Sequence, residues 1–270
     1  PKGNGKSPLA ALIALCVLIQ GGGGEKVYSA ASTQQQARHV FDGAKEMLRL
    51  APRIAKRFNL IAEEHRIRGD GDGRDYRPVS SEAGSIEGIR PLVVILDEVH
   101  VLPNRKLYDN LRSATNKVDG SMLVTISTAG FDMSPEAIGW QLYCRSRDIL
   151  EGKKSDPTLF ALVVEADRKR ADGSDSDATD FETWRQANPN LGVSVSVAGI
   201  RSAMQTWLDV PSERASLETK HLGWWQQSAF TFLDIRRWAE LGDPSLTIET
   251  LAPGEGWSVF LGVDLARTRD

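Results

Sequence analysis

Residues 92–96 form an apolar, partly β-branched run that ends directly in two acids, Asp97 and Glu98. Such a run is typical of a strand that is buried on both faces, and strands of that kind occur mainly in parallel sheets covered by helices. Ligands bind at the carboxyl ends of such strands, so the two acids are expected at a ligand-binding edge. The run therefore predicts an α/β fold around a mostly parallel sheet with flanking helices.

Predicted strands and helices alternate around this run, as a parallel α/β sheet requires. Residues 66–77 are rich in glycine and charge, so they are predicted to form a loop. The remaining strands are expected at residues 26–31 and 122–127, and the helices at residues 8–20, 33–50, 106–115 and 135–150.

The character of the sequence changes after about residue 150, where a smaller helical subdomain is predicted. Residues 171–180 are rich in aspartate and serine and are expected to form a surface loop, followed by a turn at residues 188–192. Helices are expected at residues 197–209 and 212–222. Further on, a turn at 253–256 precedes a new predicted strand that ends in Asp264.

Composition excludes several classes of protein. With 41% hydrophobic and 26% charged residues, the sequence is typical of a globular chain rather than a disordered one. A net charge of -3 excludes a uniformly basic nucleic-acid coat, so any DNA contact needs a local patch. The only two cysteines, Cys16 and Cys144, exclude a disulfide scaffold and a four-cysteine zinc site, and both are expected to be buried apolar side chains.

The apolar residues 9–19 follow Lys2 and Lys6, which resembles the start of a signal peptide. The run is shorter than the roughly 20 residues that span a membrane. The alternative is a buried helix that follows a phosphate-binding loop. A secreted or membrane-anchored binding module is thus a competing class, but it leaves the acid pair and the alternating strands unexplained.

Gly5, Lys6 and Ser7 reproduce the second half of the phosphate-loop pattern Gly-x-x-x-x-Gly-Lys-Ser/Thr. Glycine lets backbone N–H groups turn toward phosphate oxygens, and Lys6 would place its charge on the β and γ phosphates. The Ser7 hydroxyl suits Mg²⁺, and a helix starting at Pro8 directs the positive end of its dipole at the anion. The short string also occurs by chance, so its weight depends on the rest of the chain.

The acid pair is expected beside the phosphate loop. Asp97 would hold Mg²⁺ through water, whereas Glu98 points to the other side of the strand and would orient or deprotonate the attacking water. The alternative is a strand end whose acids cap the next helix. The next strand ends in Ser127, Thr128 and Ala129, where hydroxyls would sense the γ-phosphate; a plain strand-to-loop turn is the alternative there.

Four basic residues follow one another without an intervening acid: Arg49, Arg53, Lys56 and Arg57. The pattern fits either a patch that binds the DNA backbone or a solvated helix face.

In chain order, these motifs resemble the large terminase subunit of tailed phages, the motor that packages DNA into a procapsid. The resemblance covers nearly the whole chain, and its Ser-Thr-Ala-Gly and Ala-Asn-Pro-Asn-Leu-Gly strings are more specific than the phosphate loop. The matching strings lie at residues 1–7, 27–31 with 36–37, 95–100, 127–131, 184–192 and 262–264.

The resemblance implies an ATP site that uses Mg²⁺. Lys6 and Ser7 match the Walker A lysine and hydroxyl, Asp97 the Walker B aspartate that holds Mg²⁺ with Ser7, and Glu98 the catalytic glutamate. The ATP-binding residues would be Lys2, Gly3, Asn4, Gly5, Lys6 and Ser7. Many members carry arginine where this chain has Lys2, and lysine lacks the planar fork, so an arginine-finger role there is left open.

The resemblance implies further roles outside the nucleotide site. Ser127, Thr128 and Ala129 match the coupling motif, and Asp264 matches the first metal-binding aspartate of a nuclease that uses Mg²⁺ or Mn²⁺. A two-metal nuclease needs more carboxylates than this one. The alternative for Asp264 is a strand-end aspartate without a metal.

The resemblance also implies an organisation and a set of partners. Residues 1–150 would be a P-loop ATPase domain without its first strand. Residues 151–252 would hold the rest of that domain and a helical linker subdomain, and residues 253–270 would begin an RNase H-like nuclease domain. The partners would be double-stranded DNA, the small terminase subunit and the portal protein, on which the chain would form a homo-oligomer, with no membrane involved. The protein would act in the cytoplasm of an infected or prophage-bearing bacterium and not in the mature virion.

Two further expectations accompany this interpretation. Because the chain starts at Pro1 and stops soon after Asp264, it is predicted to be a piece of a longer protein, one that alone binds ATP poorly and does not cleave DNA. Residues 97–100 also spell a DExH box, so a superfamily 2 helicase is the nearest alternative function.

Overall fold

The computed structural model describes residues 1–80 and 88–227 of the chain. Two short 3₁₀ turns lie at Val99–Val101 and Pro211–Glu213. The helices and strands are, in chain order, α1 (Lys6–Gln20), β1 (Lys26–Ala31), α2 (Gln34–Leu50), α3 (Pro52–Arg57), β2 (Leu60–Ala62), β3 (Ile67–Gly69), β4 (Asp75–Ser80), β5 (Val93–Asp97), α4 (Lys106–Thr115), β6 (Met122–Ile126), α5 (Ile138–Leu150), α6 (Phe181–Ala187), α7 (Val197–Asp209) and α8 (Arg214–Leu222).

Six strands form one sheet in the order β2-β3-β4-β1-β5-β6. The centre of the sheet is parallel, because β1 runs parallel to both β4 and β5, and β5 runs parallel to β6. At one edge, β2, β3 and β4 are antiparallel neighbours. The predicted mostly parallel α/β sheet is therefore confirmed, with an antiparallel edge that the sequence did not indicate.

The prediction of a loop at residues 66–77 is wrong, because this segment contains β3 and the start of β4. Two of its arginines pair with an acid just before the segment: Arg66 and Arg68 each bind Glu63 at 2.6 Å. Arg74 is buried and donates to the backbone carbonyls of Leu18 and Phe58. Charges that are satisfied in this way are compatible with a short hairpin, although the composition alone is typical of a loop.

Each face of the sheet packs against its own apolar cluster. Along β5, Val93 and Ile95 belong to the cluster under α1 and α2, whereas Val94 and Leu96 belong to the cluster under α4. This alternation is the period of two that a strand imposes, and it shows that β5 is covered on both sides. The acid pair therefore lies at the end of a strand that is covered on both faces, with Asp97 as its last residue and Glu98 directly after it.

The apolar run 9–19 lies in α1, which covers the sheet as the buried-helix alternative requires. The buried residues recur at helical spacing: Ala10, Ala11, Ala14, Leu15 and Leu18. Cys16 falls on the outer side of this helix and is exposed, so its predicted burial is wrong; Cys144 is half-buried. Within residues 1–80 and 88–227, no helix is long and apolar enough to cross a membrane.

A third apolar cluster lies in the segment from residue 157 to residue 227, called the helical segment below. α7 occupies the predicted residues, and α8 begins two residues after its predicted start. α6, which was not predicted, precedes the expected turn at residues 188–192. The predicted turn at 253–256, the following strand and Asp264 lie outside the described residues, and the domain boundaries stay a prediction.

Candidate nucleotide site

The phosphate loop is a sharply turned segment that leads directly into α1. Gly3 and Gly5 have φ of 81° and 82°, a left-handed conformation that suits glycine. Gly5 is the N-cap of α1, and its carbonyl accepts from the N–H of Leu9 at 3.0 Å. Ser7 and Pro8 occupy the first turn, so the loop presents the positive end of a helix of 15 residues.

Lys6 is the first residue of α1 and folds back over the loop. Its Nζ donates to the carbonyl of Pro1 at 2.8 Å. Burial lowers the pKa of Lys6, and the carboxylates of Glu98 and Asp97 oppose that shift. The ammonium group therefore lies within electrostatic range of both acids.

Asp97 is the last residue of β5 and is only 5% exposed. Its Oδ1 accepts from the backbone N–H of Glu98 at 2.8 Å, which fixes the carboxylate at the strand end. Burial raises the pKa of Asp97, and the negative charge of Glu98 raises it further. A buried carboxylate of this kind is stabilised by a nearby cation.

Glu98 has a left-handed backbone, with φ and ψ both 51°. This conformation is unfavourable for a residue with a long side chain, and such outliers occur often at functional sites. The Glu98 carboxylate lies 3.0 Å from Nδ1 of His100. Burial would raise the pKa of Glu98, but the neighbouring His100, Lys6 and Lys2 together lower it below its ordinary value.

His100 is a site residue that the sequence indicated only as the last letter of the DExH box. Its Nδ1 lies 3.0 Å from Oγ of Ser127, and its backbone N–H donates to the same oxygen at 3.1 Å. Thr128 Oγ1 lies 3.4 Å from His100 Nε2. The imidazole thus connects Glu98 at the end of β5 with the hydroxyls after β6.

Two glycines allow His100 to sit between these groups. A Cβ on Gly139 would lie 2.8 Å from the backbone of His100, and one on Gly130 would lie 3.1 Å from its side chain. Both values are too close for an undisturbed side chain. The segment after β6 and the start of α5 can therefore approach His100 this closely only because they carry glycine there.

A cavity of about 310 Å³ adjoins the loop. Gly5 and Lys6 line it together with the three predicted coupling residues Ser127, Thr128 and Ala129. The structure therefore brings these motifs together, although more than 100 residues separate them in the chain.

The outer side of the phosphate loop contacts the helical segment. The backbone N–H of Lys2 donates to the carbonyl of Lys220 at 2.9 Å, and Ser194 Oγ donates to the carbonyl of Gly3 at 2.7 Å. Gly3 also packs closely on Val195, since a Cβ on Gly3 would lie 3.2 Å from its Cγ2. No local pattern in the sequence predicts these contacts.

The residues around the loop suit Mg²⁺ bound together with a nucleotide. Ser7 and Asp97 offer hard oxygen ligands, which Mg²⁺ prefers. Among the described residues, no group of three or more His, Cys, Asp or Glu side chains forms a metal site. Mg²⁺ in phosphoryl-transfer sites uses one or two protein ligands plus phosphates and water, so two oxygens are sufficient.

The basic run extends over the end of α2 and α3. Arg49 makes two bonds to Glu46, at 2.6 and 2.7 Å, so its charge is already paired. Arg53, Lys56 and Arg57 are exposed. These three remain candidates for contact with DNA phosphates.

Family comparison agrees with this geometry. The model of the terminase large subunit ATPase domain matches residues 1–139, and the model of the terminase large subunit endonuclease domain matches residues 157–270. Together the two models cover the phosphate loop, both acids, the predicted coupling residues and Asp264.

The chain is also similar to individual proteins. The large terminase subunit of Enterobacteria phage HK97 is 24% identical over 99% of this chain and 50% of its own length. Protein YmfN of Escherichia coli strain K12 is 27% identical over 68% of this chain and 38% of its own length. This chain therefore spans half or less of these relatives. The crystal structure of the HK97 large terminase shares the fold, with a TM-score of 0.71 and 24% identity over 83% of this chain and 45% of that one.

Proposed function

This chain belongs to the terminase large-subunit family, and we propose that its protein is the ATP-hydrolysing motor that moves double-stranded DNA into a procapsid. One observation carries the proposal. Lys6 at the start of α1 lines one cavity with Ser127. β5 places Asp97, which Glu98 follows, beside Ile126, the residue before Ser127. A cation and two carboxylates in this arrangement suit phosphoryl transfer to water.

The phosphate loop would hold the nucleotide. The N–H groups at the start of α1 and the Lys6 ammonium would bind the phosphates, and Ser7 with Asp97 would hold Mg²⁺. When bound, Mg²⁺ neutralises charge on the β and γ phosphates. The residues assigned to ATP binding are Lys2, Gly3, Asn4, Gly5, Lys6 and Ser7.

Glu98 would act on the attacking water. Its lowered pKa keeps it ionised at neutral pH, as a group that orients water or accepts a proton must be. His100 would hold the carboxylate in place through the 3.0 Å contact. Ser127, Thr128 and Ala129 would relay the loss of the γ-phosphate, since two of them contact His100 and all three line the cavity beside the loop.

The nuclease activity of the whole protein would use Asp264 as one ligand of Mg²⁺ or Mn²⁺. This assignment is supported by the match of residues 157–270 to the endonuclease domain of the family. The other carboxylates of a two-metal site would come from elsewhere in the whole protein.

The partners follow from the packaging role. They would be double-stranded DNA, the small terminase subunit and the portal protein, with several copies of the chain arranged on the portal. The place of action would be the cytoplasm of the host bacterium. A helicase is not favoured, because both family matches are to terminase domains.

The test uses the full-length protein. Lys6→Ala should weaken the binding of an ATP analogue and abolish ATP hydrolysis, because the cation at the phosphates is lost. The exposed Lys106→Ala serves as the matched control and should hydrolyse ATP normally. Undiminished hydrolysis by Lys6→Ala would show that the phosphate loop is misassigned.

A further inference from the structure

The turn at residues 188–192 has no role in the mechanism above, yet it contacts the phosphate loop. Asn4 Nδ2 donates to Asn188 Oδ1 at 2.9 Å. In return, the backbone N–H of Asn190 donates to Asn4 Oδ1 at 3.2 Å. The side chain of Asn4 is thus bound at both ends by residues 184 and 186 positions further along the chain.

Asn188 is held equally firmly on its own side. It is 1% exposed, and its Nδ2 donates to the carbonyls of Trp184 at 2.9 Å and His221 at 2.8 Å. Both N–H groups of the amide are therefore used, which leaves Oδ1 to accept from Asn4. The amide cannot rotate without losing buried hydrogen bonds.

These bonds join the loop to the ends of two helices. Trp184 lies in α6, for which Asn188 is the C-cap, and His221 lies in the last turn of α8. A displacement of Asn4 would leave Asn188 Oδ1 unpaired in the interior unless the helix ends followed. Buried amides of this kind favour a concerted shift over a broken bond.

We propose that Asn188 is a positioning residue for the phosphate loop, and that the Asn4–Asn188 pair couples nucleotide occupancy of the loop to α6 and α8. The inference rests on the proposed role of the loop in binding ATP. In this proposal the turn at residues 188–192 has two roles. It positions the phosphate loop, and it transmits the presence or absence of bound nucleotide to the helical segment.

Hydrogen exchange in the full-length protein tests the coupling. A saturating non-hydrolysable ATP analogue should slow exchange at residues 1–7 and also at residues 184–195 of the wild type. In Asn188→Ala, which removes the acceptor of Asn4 and leaves every residue of the phosphate loop unchanged, the analogue should still slow exchange at residues 1–7 but no longer at 184–195. Equal slowing at 184–195 in the variant and the wild type would overturn the coupling.

The same measurement separates this inference from the proposed function. No slowing at residues 1–7 of the wild type would overturn the nucleotide site and the coupling with it. Slowing at residues 1–7 with none at 184–195 would overturn the coupling alone.

A double-mutant cycle tests the positioning role. Asn4→Ala and Asn188→Ala should each raise KM for ATP about tenfold while kcat changes less than about twofold, since each loses the same bond. The double variant should be no worse than the poorer single variant. If the rises in KM of the two single variants multiplied in the double variant, the pairing would be overturned. The matched control is the exposed Asn116→Ala, which should leave KM unchanged.

Discussion

The two halves of the candidate nucleotide site are supported in different ways. Asp97 ends, and Glu98 directly follows, a strand whose five residues are all buried and which is hydrogen-bonded on both sides. The phosphate loop is held on its outer side by hydrogen bonds from the helical segment. The acids are therefore fixed by the core of the sheet, whereas the position of the loop depends on a segment that lies far away in the chain.

The largest expected effect is on the half fixed by the sheet. Glu98→Gln should lower kcat for ATP about 10²–10⁴-fold while an ATP analogue still binds, because an amide cannot accept the proton. Hydrolysis assays and nucleotide titrations on the full-length protein measure the two quantities. The exposed Glu46→Gln is the matched control. Turnover by Glu98→Gln at the wild-type rate would remove Glu98 from the mechanism.

Two buried leucines separate the contribution of the sheet core from that of the helical segment. Leu111 in α4 and Leu222 in α8 are both fully buried, so each Leu→Ala change should lower the free energy of unfolding by about 2–5 kcal/mol. Only Leu222→Ala should also weaken nucleotide binding, because the carbonyls of its neighbours Lys220 and His221 hold the loop and Asn188. Chemical denaturation and nucleotide titration, run where both variants are folded, test this. If Leu111→Ala and Leu222→Ala bound the nucleotide with equal affinity, the position of the phosphate loop would not depend on the helical segment.

A smaller effect is expected at His100. His100→Ala should lower kcat about tenfold with little change in KM, because Glu98 loses its neighbour at 3.0 Å while the loop is unaffected. His100→Asn places an amide near the lost Nδ1 and should recover part of the rate. Exposed His65→Ala is the control. A rise in KM without a fall in kcat would assign His100 to the binding half instead.

The smallest effect concerns DNA. Replacing Arg53, Lys56 and Arg57 with alanine should reduce the slope of log K against log salt for DNA binding by about 0.9 per lost phosphate contact. Arg49→Ala alone should leave the slope unchanged, because Arg49 already pairs with Glu46. Binding titrations over a series of salt concentrations measure the slopes. An unchanged slope in the triple variant would identify the run as a solvated face.

The fold around β5 was predictable because its signals are local. A continuous apolar run indicates a strand covered on both faces, and the spacing of Ala37, Val40, Phe41 and Ala44 indicates one side of α2. The β3–β4 hairpin gave no such signal, because its strands are short and carry charged side chains such as Arg68, which pairs with Glu63 at 2.6 Å. Composition reports polarity but not whether a polar group has a partner.

The candidate site shows the same limit. Lys6, Asp97 and Ser127 stand in recognisable strings, so their meeting around one site was expected from the order of the strands. The role of His100 depends on a turn that folds it back between two strand ends, and that of Asn188 on a contact 184 residues away. The residues next to His100 and Asn188 in the sequence do not predict these contacts, which become visible only in the three-dimensional structure.

The left-handed backbone of Glu98 affects which residues selection would retain at this position. A non-glycine residue in that conformation costs of order 1 kcal/mol, which glycine would relieve. Selection for a more stable fold alone would therefore favour replacement, so a glutamate here fits the proposed role of its carboxylate in ATP hydrolysis. Thermal melting of Glu98→Gly should accordingly show a midpoint no lower than that of the wild type, although the variant no longer hydrolyses ATP. A library sorted only for thermal stability would then lose Glu98 before it lost the buried residues of β5.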